Sequence, residues 1–400
     1  MNNILYFNKV TEQNFFIKEV TLEANSVGFY DLPEQKIDYI LEFAKNVKKD
    51  NIAVIGIGGS SLGTEAIYNF LKSSNNYKKN LIFLDTTDPV TIENRLSKID
   101  IKSTLFMIIS KSGTTVESIS IMKYIETKNR FTRENLIVIT DENSPLEKFA
   151  KTRNLEVFHI PNNVGGRYSV LSPVGLVPLA VIGIDIKSLL KGAKSLKEKF
   201  FSESDNHILA EKSTFYAMNF EKYSSNCLFS YSEIFRGFNS WYVQLWAESL
   251  GKKQIHSTMN VGLTPIGLIG PTDQHSFLQL IMEGKADKTV TVIKIENFGS
   301  DISVPDITFE HLEKLDIANN IQFADLINLQ ADSTIEALNK IGVPLDVITL
   351  DSISEKSIGE MIYYYELLTA LVARQLDINA YDQPGVELGK IILKNKMEKS

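Results

Sequence analysis

The sequence predicts an α/β protein with two successive doubly wound, parallel-sheet units, each a three-layer αβα arrangement, followed by a C-terminal helix. Three observations carry this. Short, wholly apolar runs such as 52–55, 105–109 and 136–139 alternate with helical patterns, and strands buried on both faces read that way. The alternation starts again after a polar stretch at 202–206. Finally, 400 residues are enough for two such units.

In order, residues 1–50 read as mostly helical, with a polar loop at 23–26. The first apolar run, 52–55, is closed by the glycine cluster 56–63 and a helix from Ala66 to Leu71. Next come 81–84, ending at Asp85, and a helix near 90–96. The third unit is 105–109, a turn at 110–115, and a helix carrying Val116, Ile119, Ile121 and Met122. Strands at 136–139 and 157–160 complete this half, with a helix near 145–151 between them. Residues 171–201 read as helical and as leaving the first sheet. In the second half, 227–230, 289–293 and 345–350 read as strands. Helices are expected at 233–250, 324–341 and 358–376, and one more after the turn at Pro384-Gly385.

Composition limits the functional classes. A net charge of −7 with no long basic run disfavours nucleic acid and anionic membranes as main partners. A single cysteine, Cys227, cannot form an intrachain disulfide or a multi-cysteine metal site. The first ten residues lack a signal-peptide pattern. The most apolar stretch, 170–186, is interrupted by Pro173, Pro178 and Asp185 and does not read as a membrane span. A cytoplasmic protein is expected.

The stretch with the clearest chemistry is Ser110-Lys111-Ser112-Gly113-Thr114-Thr115, between a strand and a helix start. Helix N-termini offer unsatisfied N–H groups and a positive dipole end, which suits a phosphate. Helix capping is the alternative, but one hydroxyl would do for that. The cluster at 56–63 offers close backbone approach to an anion. It only partly matches a dinucleotide fingerprint: Ser61 stands where a third glycine should be, although Asp85 ends the next strand as a ribose-binding acid would. A tight turn explains it as well. In 163–169, paired glycines precede Arg167, whose permanent charge could stabilise an oxyanion or lie in a solvated loop. Gln244 and Glu248 share a helix face beside Trp241, Leu245 and Trp246. Partial desolvation would suit Glu248 to general-base work, although a solvated surface glutamate is the commoner case. His275, in a polar turn, could shuttle protons or merely belong to the turn. Lys390 follows Glu387 by three residues, so a surface ion pair is its simple reading. The histidines show no metal-ligand spacing.

Together and in order, GIGGSSLG at 56–63, SKSGTTVES at 110–118, NVGGRYSVLSP at 163–173, ESLGK at 248–252, DQHSFLQL at 273–280 and YDQPGVELGK at 381–390 resemble the glucose-6-phosphate isomerase (phosphoglucose isomerase) family over nearly the whole chain. The resemblance implies two sugar-isomerase (SIS) domains, at 30–186 and 207–375, with a C-terminal helical segment at 376–400. It implies reversible conversion of glucose 6-phosphate to fructose 6-phosphate through a cis-enediolate, in glycolysis and gluconeogenesis. Ser110, Lys111, Ser112, Thr115 and Ser118 would hold the phosphate, with Gly59 and Ser60. Gln244 and Gln383 would position the sugar. Glu248 would be the base, Arg167 the partner of the enediolate, and His275 and Lys390 the ring-opening pair. His275 would reach its site from the partner subunit of a homodimer. No cofactor and no metal are implied, because a base and a cationic oxyanion partner suffice for aldose–ketose interconversion. The sequence departs from many members at Ser112-Gly113, where they carry Thr and an aromatic residue, and at Gly270-Pro271-Thr272-Asp273 before His275. Two rivals use the same residues differently: a sugar-phosphate sensor that binds without turnover, and an NAD-dependent enzyme built on Gly56, Gly58 and Asp85.

Overall fold

The computed structural model describes residues 1–7, 16–203 and 207–399. The chain begins with strand β1 (Asn2–Leu5), then helix α1 (Phe16–Ala24), a 3-10 turn at Gly28–Glu34, and helix α2 (Asp38–Asn46). The first sheet alternates strand and helix: β2 (Asn51–Ile55), α3 (Leu62–Lys72), β3 (Asn80–Leu84), α4 (Pro89–Leu96), β4 (Thr104–Ile109), α5 (Val116–Lys128), β5 (Leu136–Thr140), α6 (Pro145–Thr152) and β6 (Glu156–His159). Its strands are all parallel, in the order β3-β2-β4-β5-β6. The chain moves outward from β2 to β3, then crosses back to β4. The order therefore reverses between β2 and β4, where open α/β sheets leave a crevice at the strand ends. The glycine cluster leaves β2 and the hydroxyl turn leaves β4, so both open onto that crevice.

Helix α7 (Pro173–Ile182) has nine of its ten residues buried. Ser172 caps it by accepting from the Val174 N–H at 3.2 Å, and Gly183 ends it in the left-handed region at φ 102°. It packs on α2, α3 and the first sheet, so the departure from that sheet expected over 171–201 begins only with α8 (Ile186–Glu203). The expected polar linker at 202–206 therefore starts inside α8, and 204–206 lie outside the described residues. Among the described residues, no helix is long and apolar enough to cross a membrane.

The second half contains α9 (Ile208–Met218), β7 (Ser225–Ser230), α10 (Arg236–Leu250), the short pair β8 (Lys252–Lys253) and β9 (Asn260–Val261), then β10 (Thr264–Ile269), α11 (Leu278–Glu283), β11 (Lys288–Asn297), α12 (Phe323–Lys340), β12 (Leu345–Ser352), α13 (Glu355–Gln375) and α14 (Glu387–Met397). The second sheet runs β1-β12-β11-β7-β10, parallel except for β1. Residues 1–50 are thus not mostly helical from the outset: Asn2–Leu5 pairs antiparallel with β12 and closes one edge of this sheet.

Helices α8 and α13 pack closely because each presents a glycine to the other. A Cβ on Gly192 would lie 2.0 Å from the Lys356 carbonyl oxygen, and one on Gly359 would lie 2.0 Å from that of Leu189. One apolar core runs continuously from the first sheet through these helices to the second. A fully buried ion pair lies on the second sheet: Lys212 Nζ is 2.7 Å from Asp346 Oδ2, while Thr291 and Asn3 donate to the same carboxylate. These hydrogen bonds are what makes such a burial tolerable. Cys227 is buried, and desolvation pushes its thiol up to about 12.

Candidate active site

Two glycine-rich loops and two helices converge on one cavity of about 550 Å³. From the first sheet it receives Gly58, Gly59 and Ser60 after β2, Lys111, Ser112 and Thr115 after β4, and Asp141 after β5. Gly166 and Arg167 come from the second glycine loop, Gln244 and Glu248 from α10, and Gln383, Val386 and Lys390 from the C-terminal segment. The loops meet at backbone distance, which only glycine permits at position 59.

Arg167 is only 2% exposed. Its Nε donates to Ser249 Oγ at 2.7 Å and its Nη1 to Gln383 Oε1 at 3.0 Å. Its Nη2 donates to the Asp382 carbonyl at 2.9 Å and also to that of Ala380. The guanidinium is therefore fixed before any ligand arrives. Nη1 also stands 3.3 Å from Glu248 Oε1, and Gln244 Nε2 donates to Glu248 Oε2 at 3.2 Å. The Glu248 side chain is 26% exposed, at the border between the packed face of α10 and the cavity. Both carboxylate oxygens are oriented, by a fixed cation and by an amide one helical turn away. Such a carboxylate can take up and return a proton beside a developing oxyanion.

The hydroxyl turn divides into a facing layer and a supporting layer. Ser112 and Thr115 line the cavity, and Thr115 stands at the N-terminus of α5. Ser110 is buried, and its hydroxyl meets that of Thr115 at 2.8 Å, so it orients Thr115 instead of facing the cavity. Ser118 is also buried, and its hydroxyl has no partner among the described residues. Lys111 Nζ donates to the carbonyls of Asn162 and Val164 at 2.9 and 2.6 Å, tying the turn to the segment before Arg167.

Lys390 has the expected ion pair and also a place in the cavity wall. It pairs with Glu387 at 2.7 Å with a side chain 60% exposed. His275 is exposed on a short 3-10 turn and is not in the cavity wall. Asp85, the expected ribose partner of a dinucleotide, is instead engaged by Arg95.

Two acids in the wall, Glu117 and Asp141, escaped sequence reasoning. Asp141 is 3.9 Å from Lys111, and its Oδ1 is buried without a partner among the described residues. Burial raises its pKa, with Lys111 acting in the opposite direction. The available signal was its place immediately after β5, at the carboxyl edge of the same sheet.

Two linked sheets, parallel but for the edge strand β1, that open a hydroxyl-rich turn onto a fixed arginine and a carboxylate define a sugar-isomerase (SIS) fold protein. A family model described as phosphoglucose isomerase matches residues 42–400. The chain belongs to the phosphoglucose isomerase family. It is 40% identical to a glucose-6-phosphate isomerase of Campylobacter jejuni, with 99% of each chain covered. A solved structure of a hypothetical protein from Thermus thermophilus superposes with a TM-score of 0.86 at 31% identity, covering 95% of this chain and 94% of that one. The fold is also that of a glucose-6-phosphate isomerase from Chlamydia trachomatis, with TM-score 0.78 at 22% identity, covering 99% and 81%.

Proposed function

We infer that this protein interconverts glucose 6-phosphate and fructose 6-phosphate, serving glycolysis and gluconeogenesis. The observation that carries the reading is the Glu248–Arg167 pair at 3.3 Å, in one cavity with the hydroxyl turn. Ser60, Ser112 and Thr115 hold the phosphate, and Lys111 and Ser110 support that turn. Gln244 and Gln383 position the sugar chain. Glu248 takes the proton from C2 of the open-chain aldose, leaving a cis-enediolate beside Arg167. The same carboxyl returns that proton to C1, while a hydroxyl proton passes from O2 to O1. Aldose and ketose have the same oxidation state, so no electrons are transferred.

His275 and Lys390 open the sugar ring. Among the described residues Lys390 lines the cavity and His275 does not; in this reading His275 is supplied by a second copy in a homodimer, as the family resemblance implies. The reaction is placed in the cytoplasm, where phosphorylated sugars are retained by their charge. The test is a coupled assay on fructose 6-phosphate in EDTA, reading glucose 6-phosphate. Glu248→Gln should keep sugar-phosphate affinity and lower kcat by about 10²–10⁴-fold, the usual worth of a general base. Binding without turnover by the unaltered chain would favour a sensor, and near-normal turnover in Glu248→Gln would remove it as the base.

A further inference from the structure

A second cavity, of about 420 Å³, lies between α5 and α6 and shares the hydroxyl turn with the first. Its floor is apolar: Ile119, Met122, Phe131, Leu146 and Phe149. At its rim, Glu126 is already used, accepting from Arg153 and from the Phe131 N–H, both at 2.8 Å. Arg153 lies over the Phe149 ring at 5.0 Å. Lys123 is exposed at the same rim and makes no ion pair among the described residues. The rim therefore has one uncompensated positive charge above an apolar well.

We propose that this cavity binds a small amphipathic carboxylate, its apolar body in the well and its carboxylate on Lys123, and that occupancy alters the affinity of the adjoining seat for sugar phosphate. At about 420 Å³ the well falls at the lower end of the common pocket range of roughly 300–1,000 Å³. The lone cation favours an anion over a neutral ligand of the same shape.

The coupling runs through packed, hydrogen-bonded groups. Gly113 is in the wall of this cavity, while Ser112 and Thr115 line the other. A Cβ on Gly113 would lie 2.9 Å from both the backbone N and the Cβ of Leu146, so the turn and the well floor are in contact. Thr140 Oγ1 donates to the carbonyl of Ser110 at 2.7 Å and meets Ser144 Oγ at 2.8 Å. Ser144 caps α6, accepting from the Glu147 N–H at 3.0 Å. A ligand held between α5 and α6 thus bears on the backbone of the phosphate seat. Coupling requires only that it bind the two arrangements of that seat unequally.

The binding claim stands apart from the catalytic reading, whereas the effect on sugar phosphate rests on it. The test uses full-length protein and 4-phenylbutyrate, followed through the methyl NMR signals of Ile119, Met122 and Leu146. Saturable shifts centred on those residues are expected. Lys123→Gln should raise Kd about fivefold or more, as for a lost charge contact, and the uncharged analogue 4-phenylbutanol should bind more weakly. Saturating probe should change KM for fructose 6-phosphate at least about twofold with kcat little altered, a typical coupling size, and Lys123→Gln should lose that change at the same probe concentration. Absence of saturation, or equal binding by Lys123→Gln, overturns the site. Concentration-dependent shifts without probe that exclude it would mean a second copy covers the groove, and would also overturn it. An unchanged KM at saturation overturns the coupling. Loss of turnover without probe would instead count against the catalytic reading alone.

Discussion

Gly59 and Gly166 touch through their backbones: a Cβ on Gly59 would lie 2.4 Å from both the carbonyl carbon and the carbonyl oxygen of Gly166. This contact brings the turn after β2 against the loop that carries Arg167. Gly59→Ala must push the two loops apart. Because a displacement of about 1 Å at a reacting centre can cost about 10²-fold, kcat/KM should fall by about that factor, and Tm should fall with it because the clash is with backbone. Unchanged kcat/KM would show that the loop contact does not set the geometry.

The hydroxyl turn should act on binding. Ser112→Ala with Thr115→Ala removes the two hydroxyls proposed to hold the phosphate in ground and transition states alike, so KM should rise with kcat nearly kept. Ser110→Ala, which loses only the 2.8 Å support of Thr115, should give a smaller rise in KM. Steady-state kinetics on the three variants checks the order.

Asp141 introduces pH dependence at the proposed phosphate seat. Burial favours its neutral form, and its carboxyl faces the cavity near Lys111. As pH rises through its raised pKa, a negative charge forms beside the proposed phosphate seat. Asp141→Asn should therefore lower KM at neutral pH and match the unaltered chain at low pH. Parallel KM profiles from pH 4 to 8 would refute this.

Glu366 links stability to pH in the same direction. It is fully buried on α13, and neither carboxyl oxygen has a hydrogen-bond partner among the described residues. Desolvation raises its pKa well above the ordinary value, so the folded protein holds a proton that the unfolded chain releases. Its contribution is complete below the unfolded pKa and is lost as pH rises towards the folded one. The slope for one proton is about 1.4 kcal/mol per pH unit. Glu366→Gln should flatten the decline between pH 5 and 8 and be the more stable protein at pH 8. Urea melts across that range will show either the flattening or an unchanged slope.

Most of the first sheet was legible because strands such as Thr104–Ile109 are buried along their whole length and are apolar without interruption from Leu105 onward. The long helix α10 was legible for a similar reason: Trp241, Leu245 and Trp246 mark its buried side and place Gln244 and Glu248 beside it. Strand β1 was not legible, since Asn-Asn-Ile-Leu is short, half polar and stabilised only by a partner more than 340 positions away. Strand β10, which contains Pro265 and Gly267, was hidden because both residues argue against a strand on local grounds. Within the cavity, spacing located the hydroxyl turn but could not separate the facing Ser112 and Thr115 from the supporting Ser110, because that depends on which way the chain leaves β4. Asp141 enters the wall from the carboxyl end of β5 and Glu117 from the first turn of α5; neither carries a local pattern that marks it as a site residue.

The edge strand β1 also orders events during synthesis. Asn2–Leu5 pairs with Asp346–Thr349, so at roughly 5–20 residues per second β1, once made, waits on the order of 20–70 s for its partner. The first sheet needs nothing beyond His159 for its strands and can form meanwhile. The second sheet cannot be completed until β12 has emerged. Its assembly is therefore the step at which a stalled or truncated nascent chain exposes an unpaired strand edge.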